Sequence, residues 1–337
     1  MKHAIILMFV LCFFSANAMG CYPVVHCIEE EQEKGESNSQ LVINSDTALE
    51  TAIADGTCRD FSGEVVFTSG VKKIRGEWRN ARTISIQEGV ESIRWEAFRW
   101  SKADIFIPST VIEIEGAFTG AKGSITVSDD NPYYLSIDGM LIETSTKTLI
   151  HINYHQKEVI IPKEVERIGA EACAFNDIVE SVTMPYLVKS IGFMAFSDCT
   201  NLHSVQLSEG LQEVYGEVFF NCPIKQLVIP AHTRFVDEEE GNLLGGETGV
   251  KSLIIMSNET NIRDLDFGWD NTTLKYIAFT KEPPEEFEAY AFSRYLDSFV
   301  IYYINDYQSY WAPNGETQWR GLPIIGIDTL DKLPPVD

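Results

Sequence analysis

Carboxylates at alternate positions are the donor pattern of a calcium loop, and Asp264-Leu265-Asp266-Phe267-Gly268-Trp269-Asp270 supplies Asp264, Asp266 and Asp270 in that pattern. The intervening positions are apolar and no Glu closes the loop at the standard spacing, so a structural role for the segment is the stronger reading. His151 and His155 have the i, i+4 spacing that chelates zinc from a helix. They follow an alternating segment, however, where four residues at ~3.3 Å each would hold them ~13 Å apart, too far to share an ion. Cys21, Cys27, Cys58, Cys173, Cys199 and Cys222 contain no C-x-x-C pair and no Cys/His cluster. No G-x-S-x-G, P-loop or dinucleotide fingerprint occurs. The expectation is a chain with no metal, no cofactor and no enzymatic activity. Asn258-Glu259-Thr260 and Asn271-Thr272-Thr273 are glycosylation acceptors only in a host that glycosylates exported proteins, and Asp237-Glu238-Glu239-Glu240 reads as a solvated bulge.

Charge narrows the partners. The 337 residues carry 26 Lys plus Arg against 50 Asp plus Glu, a formal charge of -24 that repels phosphate backbones and anionic lipid headgroups. Nucleic acid is therefore not an expected partner. At the amino terminus Lys2 precedes an apolar run from Ala4 to Phe14 and the small triplet Ala16-Asn17-Ala18, the signature of a secretory signal peptide. The run is too short to span a bilayer, which takes ~20 residues. Two processing routes stay open: cleavage after Ala18, or lipoprotein cleavage after Gly20 that leaves Cys21 lipidated. An acidic tether, Glu29 to Gln40, follows, with too little apolar content to fold. Export to the cell surface or outer membrane as a lipoprotein, or secretion, is expected, with membrane contact only through a lipid anchor.

What must position any site is a repeat. Met184 to Phe196 (MPYLVKSIGFMAF) and Leu207 to Phe219 (LSEGLQEVYGEVF) match at their apolar positions with an offset of 23 residues, and Ile161 to Cys173 (IPKEVERIGAEAC) precedes them by another 23. Ile86 to Phe98 fits the same frame, Ile107 to Phe118 fits with one residue missing, and Ile229-Pro230 opens a more irregular unit. Each unit starts with alternating apolar residues, such as Val182 and Met184 or Leu227 and Ile229, which predicts a short strand with one buried face. The spacing is too short for a crossover with a full helix, so the units must stack as a solenoid of parallel strands with tight returns. Ala195 takes an inner position with little room. Gly169, Gly192 and Gly216 suit bends or close approach of neighbouring coils. Cys199 and Cys222 follow the unit Phe by three residues and read as a column of buried thiols, with an inter-coil disulfide as the alternative.

The unit I-P-x-x-V-x-x-I-G-x-x-A-F resembles the BspA-like leucine-rich repeat of exported surface proteins. Asp129 to Ile150 resembles that family's insertion, with an Asp138-Gly139 turn joining two strands, and Glu282 to Ile327 resembles its carboxy-terminal end. The resemblance implies a leucine-rich-repeat solenoid and, for some members, adhesion or host contact. The resulting organisation is a signal peptide (1–20), an acidic flexible tether (21–40), an amino-terminal cap (41–60), the solenoid (61–304) with an insertion hairpin at about 129–155, and an aromatic carboxy-terminal cap (305–337). Thr47-Ala48-Leu49-Glu50 has capping-box spacing, placing a short helix within Leu41 to Asp55 with Leu49, Ala52 and Ile53 on one side.

If alternation puts Val205 and Leu207 inside, the outer row runs Val66, Ser85, Phe106, Thr126, Ile160, Thr183, Gln206, Val228, Ile254, Ile277. It is flanked by a largely small and polar row, Thr83, Ser124, Ser181, Ser204 and Ser252, that also carries Glu64, Asp104, Glu158 and Lys275. Such a flat, largely uncharged face suits docking of a protein or glycoprotein partner through Phe106, Ile160, Thr183, Gln206, Val228, Ile254 and Ile277. Two other readings are carried: glycan capture by exposed Trp95, Trp100, Trp269 and Trp311 for nutrient acquisition, and a structural envelope component without a soluble ligand.

Overall fold

The computed structural model describes residues 39–236, 250–256, 274–284 and 299–336. The signal peptide, Cys21, most of the tether, the acidic run 237–240, both sequons, Asp264, Asp266, Trp269 and Asp270 lie outside the described residues. The chain is a β-solenoid of about 11 turns. One ribbon of strands begins with Gln40–Ile43, Glu64–Phe67, Thr83–Ile86, Ile105–Ile107 and Ile125–Val127. It resumes as Glu158–Ile160, Ser181–Thr183 and Ser204–Gln206, then as Gln226–Ile229, Ser252–Ile255, Tyr276–Phe279, Val300–Ile304 and Leu322–Ile327, parallel within each group. A second ribbon of shorter strands, such as Arg167–Ile168, Ser190–Ile191 and Glu213–Tyr215, stacks beside it. The 23-residue offset is the register itself: Ser181 opposes Ser204 and Val182 opposes Val205.

No single coil buries its own apolar side chains, which would each lose ~1.5–3 kcal/mol if left in water. Stacked, they form continuous columns: Ile168, Ile191 and Val214 in one, Phe196 on Phe219 with ring centroids 5.7 Å apart in another. The coil around Phe118 turns on Gly116 and Gly120, both at positive φ, but the later coils make the same turns without glycine. Glu171 and Phe175, Met194 and Asp198, and Glu217 and Asn221 adopt positive φ two residues before and after Cys173, Phe196 and Phe219. A non-glycine residue there costs roughly 1–2 kcal/mol, and inter-coil bonds offset it: Met194, Phe196 and Asp198 donate their N–H groups to Gly216, Val218 and Phe220 carbonyls at 3.1, 3.0 and 2.8 Å. Gly169 and Gly192 serve close approach instead, since a Cβ on Gly192 would stand 2.7 Å from the Ala170 nitrogen.

The insertion divides the interior. Tyr134–Ile137 and Met140–Glu143 form a hairpin through Asp138 and Gly139, both at positive φ as a tight primed turn requires. A third strand, Thr148–His151, pairs antiparallel to Met140–Glu143 and parallel to Arg167–Ile168, so the insertion contributes three strands rather than the two expected. Leu141 faces the amino-terminal core while Met140 and Ile142 face the other, which makes Met140–Glu143 a wall between two cores.

Both ends differ in detail from expectation. The chain enters with a strand, Gln40–Ile43, paired to Glu64–Phe67, and only then forms the helix Asp46–Ala54. Its cap is Ser45, whose hydroxyl accepts the Ala48 N–H at 3.2 Å, and not Thr47, which lies inside the first turn. Leu49 and Ala52 are buried beneath it and Ile53 half-buried. At the other end Trp311 packs against Phe279 and Trp319, both at 5.0 Å, and stacks on Tyr303, while its indole N–H donates to the Lys281 carbonyl at 2.9 Å.

Candidate functional site: the outer strand face

The ladder settles which side chains share the outer row. Ile160, Thr183 and Gln206 are in register, as are Phe106 with Thr126 and Val228 with Ile254. Ile160 is 72% exposed and Val228 40%, with Phe106, Thr183 and Gln206 also exposed. The row from Ile160 to Val228 is itself uncharged, although Glu158 faces outward beside Ile160 and the Lys157–Glu180 ion pair flanks the strands it joins. Other ion pairs lie on the second ribbon, where Glu166 bridges Lys147 and Lys189 and Arg234 pairs with Glu213.

Two assignments need correction. Ile277 opposes Leu253, not Ile254, and is 0% exposed in the core. The outer row continues through Ala278, Tyr302 and Ile325. Tyr276-Ile277-Ala278-Phe279 is apolar throughout, so period-2 alternation does not say which pair faces inward, and a one-residue slip exchanges the faces. Ile254 does sit in the outer row but is only 5% exposed. Ser252, Tyr276 and Ala278 are buried on the same outer side. The face is thus open from Ile160 to Val228 and covered from Ser252 to Ala278.

The tryptophans do not converge on a sugar platform among the described residues. Trp311 is buried, as above. Trp100 packs on Phe175 at 4.7 Å across the junction made by the insertion, with its ring against Gly120. Of the three candidate tryptophans among the described residues, Trp95 is the open one, 64% exposed with its ring over Gly116.

His151 and His155 part ways: His155 shares a hydrogen bond with the Ser124 hydroxyl at 3.3 Å, whereas His151 is buried between Phe118 and Tyr154, ring centroids 5.9 and 6.3 Å away, with no partner for Nε2. Burial pushes its imidazole down to about 4, against a smaller opposing effect of a hydrogen bond to the Ala121 backbone. The unfolded imidazole takes a proton below pH ~6.5 and the folded one only near 4, so its contribution is whole above 6.5 and lost as pH falls between those values, ~3 kcal/mol in all. Melting curves at pH 7.5 and 4.5 should show a smaller acid-induced drop in His151→Phe than in the parent; equal drops would contradict the burial. Among the described residues no three His, Cys, Asp or Glu come together as metal ligands. Cys58, Cys173, Cys199 and Cys222 are free and buried. The Cys173 and Cys199 sulfurs lie 4.0 Å apart, and Cys222 donates to the Phe196 carbonyl at 3.0 Å, which is the thiol column and not the disulfide. Burial raises the Cys199 and Cys222 thiols well above their ordinary range, which keeps them unreactive.

Comparison with known proteins agrees with this geometry. Residues 166–297 match the BspA type leucine rich repeat region in six copies. The pneumococcal vaccine antigen PcpA superposes with a TM-score of 0.66 at 18% identity, over 79% of this chain and 68% of that one. A leucine rich cell surface protein from Faecalibacterium prausnitzii superposes with a TM-score of 0.53 at 23% identity, over 69% of this chain and 62% of that one, so this chain spans less than two thirds of the latter's length. These structural likenesses establish the fold. No curated protein matches the chain.

Proposed function

The chain carries a BspA-type leucine-rich repeat array, and on that premise we propose that it is a non-enzymatic, exported surface protein that binds a protein or glycoprotein partner through its outer strand face. The observation that carries this reading is the open stretch of the face, where Ile160, Thr183, Gln206 and Val228 stand exposed on the strand ladder, with Glu158 the charged group on the outer face of the Ile160 strand. Side chains fixed by strand register lose little freedom on docking, and apolar groups at the centre of a contact supply most of its energy. Display at the surface draws support from the neighbours' own descriptions, a vaccine antigen in one case and a cell surface protein in the other. The test is capture of surface proteins by the chain, which Ile160→Lys with Val228→Lys should abolish without unfolding it. Glycan capture for nutrient acquisition keeps one supporting feature, the exposed Trp95; it would appear as capture lost in Trp95→Ala and retained in the lysine pair.

A further inference from the structure

At Tyr276 the covered stretch of the outer face is met by a distant segment of the same chain, residues 328–336. After Leu322–Ile327 the chain is pinned by the Asn305 amide, which donates to the Asp328 carboxylate at 2.8 Å, and makes one short turn at Leu330–Lys332. It then runs extended as Leu333-Pro334-Pro335. Leu333 has φ -64° and ψ 144°, the values of a polyproline II helix. That helix makes no internal hydrogen bonds, so its carbonyls need outside donors. The face provides one: Tyr276 donates its hydroxyl to the Pro334 carbonyl at 3.2 Å. The same oxygen accepts the Gln226 amide at 3.0 Å, which aims the tyrosine across two strands, and Tyr302 stands against it edge-on at 5.4 Å. Two aromatic rings on a flat strand surface, one with a hydroxyl directed at a backbone carbonyl, are the chemistry by which aromatic grooves read proline-rich segments.

We infer that the face between Gln226 and Tyr302 is a docking groove for an extended, proline-containing segment of a protein partner, and that the tail occupies it until such a segment displaces it. Pro334 and Pro335 are exposed where they lie, so the tail is held lightly. The groove is continuous with the open face, since Gln226 and Val228 belong to one strand. This inference names a partner class for the strand-face reading and rests on it.

The test uses the full chain with Leu333→Gly, Pro334→Gly and Pro335→Gly and, as probe, a labelled acetylated peptide copying residues 328–336. Iodination of Tyr276, read by peptide mass spectrometry, should rise in the triple variant because the groove is open. The peptide should bind that variant saturably and at least tenfold more tightly than the parent, whose tethered tail competes at an effective concentration on the order of millimolar. Adding Tyr276→Phe should weaken binding severalfold with the melting temperature unchanged. Unchanged iodination, or an opened groove that binds no peptide, would overturn the inference. So would dimerisation that depends on Tyr276, which would assign the groove to the tail of a second copy. If the peptide binds but the lysine pair leaves surface capture intact, the strand-face reading fails and the groove stands; lost capture with no peptide binding gives the reverse.

Discussion

Ala195→Asp should cost the protein at least ~4 kcal/mol of stability, enough to lower the melting temperature by on the order of 10 °C or to prevent soluble expression. Ala195 is 0% exposed, in a core whose neighbours Ala172, Val218 and Phe196 are apolar. Its carbonyl already accepts the Cys173 N–H at 2.8 Å, and the position is fully buried, so the carboxylate would have no water around it. Two penalties therefore add, an unpaired buried acid and overpacking of a position where coils meet. The carboxyl would hold its proton to a higher pH than in the unfolded chain, so the loss should shrink below pH ~4. Thr183→Asp, on the exposed outer row, should change stability by no more than ~0.5 kcal/mol. A loss at Ala195 as small as at Thr183 would contradict the stacked-coil core. Thermal unfolding of the two variants side by side decides it.

Ile277→Lys is expected to be nearly as damaging, ~3–5 kcal/mol, because it places an ammonium group among Leu253, Ile301 and the rest of the core. Val228→Lys, 40% exposed, should cost less than ~1 kcal/mol, since a lysine there can lay its stem on the strand and keep its charge in water. Denaturant midpoints of these two variants read the register directly. Equal effects would mean that the ladder through Tyr276–Phe279 is set one residue away from the pairing described.

The coil was legible wherever the two faces of a strand differ in polarity. Ser181-Val182-Thr183 and Gln226-Leu227-Val228-Ile229 alternate, and their buried residues were assigned correctly. Where both faces are covered, the signal vanishes. Tyr276-Ile277-Ala278-Phe279 is apolar because the core lies on one side and the covered outer face on the other. Met140-Leu141-Ile142 is apolar because a core lies on each side. The helix cap differs for another reason: Thr47 and Glu50 have box spacing, but the helix already begins at Asp46, so Ser45, two residues after the strand Gln40–Ile43, takes the role. The left-handed turns at Glu171, Met194 and Glu217 carry no residue-type signal at all, since inter-coil hydrogen bonds and not glycine hold them. Periodicity alone puts Ile160, Thr183, Gln206, Val228 and Phe106 on the outer row, and all five side chains are exposed there. Tyr276, Tyr302 and the tail were missed, because a polyproline II segment has no apolar period and its seat is formed by strands distant in sequence.

The measurement that bears most directly on function is surface-protein capture by Ile160→Lys with Val228→Lys, read beside the melting temperature of the same preparation. Both side chains lie on the open stretch and neither belongs to a core. The strand-face account predicts a melting temperature within a few degrees of the parent and capture reduced at least tenfold, because two charges desolvated at the centre of a contact cost ~3 kcal/mol or more. Full capture by a variant that melts with the parent would show that the partner binds elsewhere.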